Sequence, residues 1–550
     1  MLSSTMSHSE EDVDLDGVLN DIGQFGFFQM RQYGLMVLPI IFNALFTLSY
    51  IFTAGNLVYR CLVPECEQSG TDVYHPLWLN QSIQFDNDER CQRFQHIAHN
   101  NTLIEEECNS ESFNSSAIIP CDRFVFQSDE NTIVREFNIT CAQNDWKITL
   151  VGTMNNVGQF VALPIAGYLS DRYGRRWILL VSVAGSSLFG LIRSFATSYE
   201  MFLAMEFLDP VVGSTMYTTA FILALELVGP KMRVTGNNII SCGFSFAEAL
   251  LGLLAMYFRD WRVLLRILYI PGFLSLPLLY TTAESVRWLL SKNRKEEAFK
   301  ILKKAAHLNG KSLPQATLDS FNDTDNSSST QKSLDSKNYT YLVREAFSNP
   351  GLVLRVINCS FCWLTNTMVY FGLSLNSVSL SGDKYLNFIL VSLIELPGFF
   401  LMQLILDRFG RKKTLFTTLV LSGLFCIISV FTADIPALKL ILFLLSKLSI
   451  TMSFGTLYIY TVEIFPTNLR QSLLSTCSMF GRIGSMVAPQ TPLLAKFWTP
   501  LPMVLFGFLG ISSGVAVLQF PETLNNELPN TLDEAMNMRE NDIIPSSNDR

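Results

Sequence analysis

Among the ionisable residues inside long apolar stretches are Glu206, Asp209, Glu248, Glu395 and Arg482. A charge at the centre of a membrane helix costs roughly 2.5–3.5 kcal/mol on insertion scales, so such residues are the first candidates for handling an ion. Arg482 sits in Met479-Phe-Gly-Arg482-Ile-Gly484-Ser, whose small residues let a neighbouring helix approach closely. A guanidinium fork takes a carboxylate bidentately, whereas Glu395 offers the opposite sign, either to a substrate ammonium or to Arg482 as a structural ion pair. On this reading one central cation faces several carboxylates. Glu206 and Asp209 are three apart on one helical face, which Gly213 and Tyr217 continue. That pair can hold an ammonium or a proton, or it can lie in water near an outer end. Tyr217, Phe221, Trp363, Tyr370, Phe371, Tyr458 and Tyr460 offer ring faces to ammonium groups, and each can equally serve packing.

A second set of charges marks helix ends. Asp171-Arg172-Tyr-Gly174-Arg175-Arg176 returns as Asp407-Arg408-Phe-Gly410-Arg411-Lys, 236 residues later. Glu226 and Arg233 return as Glu463 and Arg470, 237 residues later and with the same internal spacing. Two charged motifs at one period define an internal repeat. Each loop joins an Asp at a helix end to a turn-permitting Gly and paired Arg, which suits a latch that Glu226 and Glu463 can complete. Simple anchoring by positive charge on the inner side is the plainer alternative.

These residues are carried by a chain of 550 residues, 49% hydrophobic and only 16% charged, against about 25% in soluble domains. Twelve apolar segments recur, near 34–55, 147–168, 177–197, 200–225, 236–257, 263–282, 351–373, 385–406, 414–432, 438–460, 471–495 and 500–520. Each has about the 20 residues of a spanning helix and none alternates like a barrel strand, so the expected fold is all-α and membrane-embedded. Residues 1–32 form an acidic amino-terminal segment without a signal-peptide pattern, expected in the cytoplasm with the tail 521–550.

Two hydrophilic stretches divide the segments. Loop 56–145 holds Cys61, Cys66, Cys91, Cys108, Cys121 and Cys141, six of 11 cysteines, and the sequons Asn80, Asn100, Asn114 and Asn138. An even cysteine set with acceptor sequons predicts an extracellular, disulfide-bonded, glycosylated loop of open connectivity. Loop 283–350 lacks cysteine and is rich in Lys and Arg, which places it in the cytoplasm. Within it, 292–308 reads as a basic helix and 319–338 as a disordered linker. Six helices at 33–282 and six at 351–520, related by the repeat, describe two bundles with a site between them.

On these motifs the chain resembles the major facilitator superfamily, and within it the organic cation, carnitine and organic anion transporters. The resemblance rests on both Asp-Arg-aromatic-Gly-Arg loops, the Cys-rich first loop, Glu284-Ser-Val-Arg287-Trp288, Glu395-Leu-Pro397, Tyr460-Thr-Val-Glu463-Ile-Phe-Pro466 and Pro521-Glu522-Thr523. Sugar transporters share the loop motifs but have a short first loop. The resemblance implies alternating access at the plasma membrane, with cavity-lining helices carrying Tyr217, Trp363, Tyr370 and Tyr458. It also implies a choice of substrate. The Arg482 position is acidic in polyspecific cation transporters and Arg in carnitine-type and anion transporters, yet Phe399 stands where anion transporters carry Lys.

The expected function is therefore transport of small organic cations or zwitterions such as carnitine-like amines, with proton or sodium coupling possible. An organic anion transporter or a sugar-type facilitator is the alternative, followed by a receptor or scaffold that kept the fold. His96 and His99 lack zinc-site spacing, and no nucleophile elbow or phosphate loop is present, so neither an enzyme, a cofactor, a metal nor ATP is expected. The net charge of −8 gives no basis for nucleic acid binding.

Overall fold

A computed structural model describes residues 17–18, 21–23, 25–64, 66–67, 74–76, 91–97, 113–228, 233–311, 348–432, 434–466, 469–524, 529 and 532–537. Linker 319–338, Cys108, Asn80 and Asn100 lie outside the described residues, as does the Asp407 side chain. The described architecture is predominantly α-helical. Before the basic loop come α1 (Phe27–Leu48), α2 (Asp145–Tyr173), α3 (Arg175–Arg193), α4 (Tyr199–Gly213), α5 (Thr215–Glu226), α6 (Arg233–Tyr257) and α7 (Trp261–Leu279). The basic helix is α8 (Lys295–Leu308), which begins with Glu296 and Glu297 in its first turn, where acid suits the helix dipole. After it come α9 (Pro350–Asn376), α10 (Lys384–Leu393), α11 (Glu395–Phe409), α12 (Arg411–Val430), α13 (Pro436–Ile464), α14 (Arg470–Val487) and α15 (Leu501–Val517).

Among the described residues nine helical stretches are long and apolar enough to cross a membrane, and α15 is a shorter apolar helix. The stretch over Phe27–Thr53 is interrupted at Ser49, near its end, and two others are interrupted mid-way. The one over Tyr199–Glu226 breaks at Ser214, four residues after Pro210, and the one over Lys384–Leu406 breaks at Ile394, just before Glu395 and Pro397. Proline removes a backbone donor and crowds the preceding turn, which accounts for the break before Pro397; the break at Ser214 lies one turn beyond Pro210. Leu274, Phe400, Leu404 and Phe508 are largely exposed on the outer surface, as lipid-facing residues are.

Packing groups α1–α7 together, notably α3 on α4 and α7, α2 on α4, and α1 on α6; α9, α12, α13, α14 and α15 form the second group. Contact between the groups runs along two seams, α6 against α10 and α11, and α2 against α14. Gly484 lets α14 press on α9, because a Cβ there would meet the Leu364 carbonyl oxygen at 2.3 Å.

The stretch after α1 forms two antiparallel pairs, β1 (Tyr59–Cys61) with β4 (Phe124–Phe126) and β2 (Gln92–His96) with β3 (Phe113–Pro120). Disulfides Cys61–Cys121 and Cys91–Cys141 tie them, each with Cα atoms 5.6 Å apart, and Cys66 is disulfide-bonded as well. Asn114 is exposed on β3, while Asn138 takes a left-handed backbone, φ 50°, of the kind Asn tolerates.

Candidate functional site

Two side chains that the composition of their segments concealed organise the interior. Arg193 closes α3 and Lys447 lies within α13, both with no exposed surface. The expectation of a single central cation is thereby corrected, and so is the pairing of Arg482 with Glu395. Glu395 instead binds Lys447, Oε1 to Nζ 2.8 Å, while its Oε2 accepts from Ser245 at 2.5 Å. Lys447 also donates to Ser374 Oγ at 2.8 Å and to the Tyr370 carbonyl at 3.3 Å. Its ammonium lies 3.3 Å from the centre of the Tyr370 ring, so that ring face is already occupied by a cation of the protein.

Glu206 and Asp209 do share a face, as their spacing requires, but it is turned into the bundle and fully buried. Arg193 bonds Glu206 and lies 3.9 Å from Asp209. The same guanidinium donates to Tyr269 at 2.7 Å and Ser49 at 3.0 Å. Asn155 donates to Glu206 at 2.8 Å, and Ser186 and Tyr269 both donate to Asp209. The carboxylates are thus engaged inside the protein, which corrects their reading as ammonium holders.

Arg482 is different. It is half-buried on α14 and donates to Gln159 Oε1 of α2 at 3.0 Å, and among the described residues it takes part in no ion pair. Gln159 in turn donates to Asn155 at 2.9 Å, so a relay of amides connects Arg482 to Glu206 across the α2–α14 seam. Beside Arg482 begins a chain of rings. Tyr217 stacks on Phe221 at 6.1 Å and meets Phe244 at 5.9 Å, Phe221 meets Tyr458 at 6.4 Å, and Tyr458 meets Trp363 at 6.0 Å. Phe454 then connects Trp363, 5.9 Å away, to Tyr370 at 5.8 Å. Tyr460 stands apart, buried with its hydroxyl on the Pro521 carbonyl. The rings therefore run from a guanidinium without a carboxylate to an ammonium that has one.

The repeated loops adopt matching geometry. Gly174 and Gly410 hold φ 100° and 89°, and a Cβ on either would strike a carboxylate, Glu284 Oε2 at 2.5 Å and Glu522 Oε2 at 2.6 Å. Glu284 accepts the Arg175 N–H at 3.0 Å and Glu522 the Arg411 N–H at 2.9 Å. Burial raises the Glu284 pKa above the ordinary carboxylate value, although the N–H groups of Ser285, Arg176 and Arg175 pull it back. Arg175 meets Asp171 at 2.8 Å and Glu226 at 3.8 Å, while Arg411 meets Glu463 at 3.2 Å. Arg172 reaches Tyr168, and Arg176 reaches the Tyr280 carbonyl and ring, whereas Arg408 lies over Phe409. These contacts keep each loop with elements of its own half. Glu284 and Glu522 were legible only as parts of family motifs, not as contacts to the glycine turns.

At the opposite end the contacts cross between the halves. Lys384 pairs with Glu130, which also accepts from Tyr385 at 2.7 Å, and Lys496 pairs with Asp145 at 2.7 Å. Gln490 bridges Thr149 and Thr153 at 3.0 and 2.6 Å. This end is closed.

Helices in two groups, a repeated glycine-turn loop and an ionic interior define a membrane transporter of the major facilitator fold. The family model described as sugar (and other) transporter matches residues 109–531, and the chain belongs to that family. The chain is 30% identical to the organic cation transporter protein of Drosophila melanogaster over 526 residues, 95% of this chain and 94% of that one. It is also 30% identical to the human organic cation/carnitine transporter 2, with 96% and 94% covered. Among solved structures, the partially occluded inward-open xylose transporter XylE from E. coli superposes with a TM-score of 0.60 at 16% identity, covering 90% of this chain and 98% of that one. The protein is a transmembrane transporter, not an enzyme.

Proposed function

We propose that the protein moves small organic cations and zwitterions of the carnitine-like amine class across the plasma membrane by alternating access, through twelve spans in two six-helix bundles. The bundles correspond to 33–282 and 351–520, with loop 56–145 outside and 1–32, 283–350 and 521–550 inside. The likeness to organic cation and organic cation/carnitine transporters supports the substrate class, and the disulfide-bonded loop with exposed Asn114 supports its placement outside. Bridges at the closed end, Glu130–Lys384 and Asp145–Lys496, serve as the outer gate, and the Asp171 and Asp407 loops set the rate of exchange at the inner end.

The observation that carries the substrate reading is Arg482, a guanidinium with an amide partner and, among the described residues, no carboxylate, beside the aromatic chain. A substrate carboxylate takes the guanidinium fork, and its ammonium lies against Tyr217, Tyr458 and Trp363. Glu395, held by Lys447 and Ser245, acts on the ammonium pole only through the field of that pair. Uptake of labelled carnitine, tetraethylammonium and a dicarboxylate by cells expressing the protein tests this. Carnitine and tetraethylammonium entry supports it, and uptake of the dicarboxylate alone replaces it with an organic anion transporter.

A further inference from the structure

The seam between α6 and α11 buries a charge imbalance. Glu248 on α6 is 1% exposed and Glu395 on α11 fully buried, with Lys447 of α13 beside them. Glu248 lies where α6 packs on α10 and α11, within interaction range of Glu395, Lys447 and Ser392, and neither of its oxygens has a hydrogen-bond partner within the described residues. Two carboxylates therefore share one ammonium, and that ammonium is committed to Glu395 at 2.8 Å. The other groups at this level are neutral: Tyr370 of α9, Tyr217 of α5 beside it, and Ser392 of α10, whose Oγ donates to the Phe388 carbonyl at 2.9 Å. The charged residue of α10, Lys384, is engaged with Glu130 at the far end. From α1, Tyr33 meets α6 at Gly236, well along the helix from Glu248. Among the described residues neither Glu248 oxygen has a hydrogen-bond partner, and the two groups that would favour its anion are engaged elsewhere, Lys447 with Glu395 and Ser392 with the Phe388 carbonyl.

An uncompensated carboxylate in such surroundings is far costlier than a neutral acid, because a buried charge without a partner loses its hydration for nothing. Three occupants can remove the excess charge: a proton, a metal cation or a substrate ammonium. Lys447 Nζ already fills the position next to Glu395 and repels a second cation there. The burial of Glu248 keeps an ammonium-bearing substrate away from it. Only a proton fits.

Resting on the transporter reading above, we propose that Glu248 and Glu395 together bind one proton, carried on Glu248, and that it moves with substrate. With the proton bound, a neutral Glu248 faces an ionised Glu395 paired to Lys447, and the seam can stay closed. When α6 parts from α10 and α11, water enters, Glu248 ionises and the proton leaves to that side. Two carboxylates then repel across the seam until another proton arrives. Because Glu248 belongs to one half and Glu395 to the other, protonation acts on the motion that alternating access needs.

Two measurements on purified full-length protein test this. Infrared difference spectra recorded through a pH titration report protonated carboxylic acid directly, without any substrate. One acid carbonyl band should titrate in the wild type and be absent from E248Q, with E395Q shifting it; an unchanged band in E248Q overturns the proposal. In liposomes, an inward proton gradient should accelerate uptake of carnitine or tetraethylammonium in the wild type, and in E248Q the ratio with and without gradient should fall to unity. Wild-type uptake indifferent to the proton gradient, or driven by a sodium gradient instead, overturns it too. Failure of both probes to enter at any gradient counts against the substrate reading, and the infrared titration then decides the proton site alone.

Discussion

Two buried clusters each set two carboxylates against one cation, one wholly within the first half and one across the seam between the halves, and they treat the excess negative charge in opposite ways. Around Arg193 the planar guanidinium reaches Glu206, Asp209, Tyr269 and Ser49 at once, and neutral donors from Asn155, Ser186 and Tyr269 complete the carboxylates. Every partner belongs to the first half, so motion between halves leaves the cluster intact. Around Lys447 the ammonium has fewer donors and spends them on Glu395, Ser374 and a carbonyl, while Glu248 arrives from the other half unsatisfied. Arg and Lys are not interchangeable here. The fork makes a rigid element of one cluster, and the point charge leaves the other able to change state.

Breaking the rigid cluster should have the largest effect. Arg193→Met strands two buried carboxylates, and removing one partner of a buried pair typically costs about 3–5 kcal/mol. The expected outcome is loss of surface expression and a lowered melting temperature, whereas E248Q, which replaces a neutral acid without an ion-pair partner, should melt near the wild type. Equal destabilisation by both variants would erase the distinction between the clusters.

Arg482 sharpens the comparison from the substrate side. Charge-assisted hydrogen bonds contribute about 1.5–3 kcal/mol, so Arg482→Ala should reduce carnitine uptake by about 10- to 100-fold at equal surface expression. Arg482→Lys should recover only part, since it keeps the charge and loses the bidentate geometry, and tetraethylammonium uptake should be spared. Equal loss for both substrates would make Arg482 structural.

Effects at the latches should be smaller. Asp171→Asn removes a half-exposed ion pair to Arg175, of a kind worth about 0.2–1 kcal/mol, and should slow uptake a few-fold without altering protection of a cavity cysteine by substrate. Gly174→Ala, which forces a side chain against Glu284 at a positive φ, should slow it more than Asp171→Asn. An unchanged rate in both would reduce the loops to anchors.

The smallest effect is expected outside the membrane. Glu136 accepts from Trp261 Nε1 at 2.6 Å and Arg262 Nε at 2.9 Å. Desolvation pushes its pKa up, but these donors and the Arg262 charge outweigh it and hold the value below the ordinary range. A lowered carboxylate pKa stabilises above the unfolded value and is lost as pH falls through the folded one. Limited proteolysis of the first loop should therefore quicken in acid, and E136Q should remove that pH dependence.

The sequence by itself determined the apolar helices, the repeated loops and the candidacy of Arg482 and Glu395, because length, hydropathy and backbone chemistry are local. It could not choose ionic partners. Lys447 lies between Ser446 and Leu448 and Arg193 at a helix end, and both were hidden by the apolar or end-of-span character of their surroundings. Glu206 and Asp209 were correctly set on one face, but whether that face meets substrate or Arg193 depends on how α3, α4 and α7 are rotated against one another. Only tertiary packing brings Glu248 to Glu395 and keeps Arg482 from it, since ion pairing is decided by distances of a few ångströms between helices far apart in the chain.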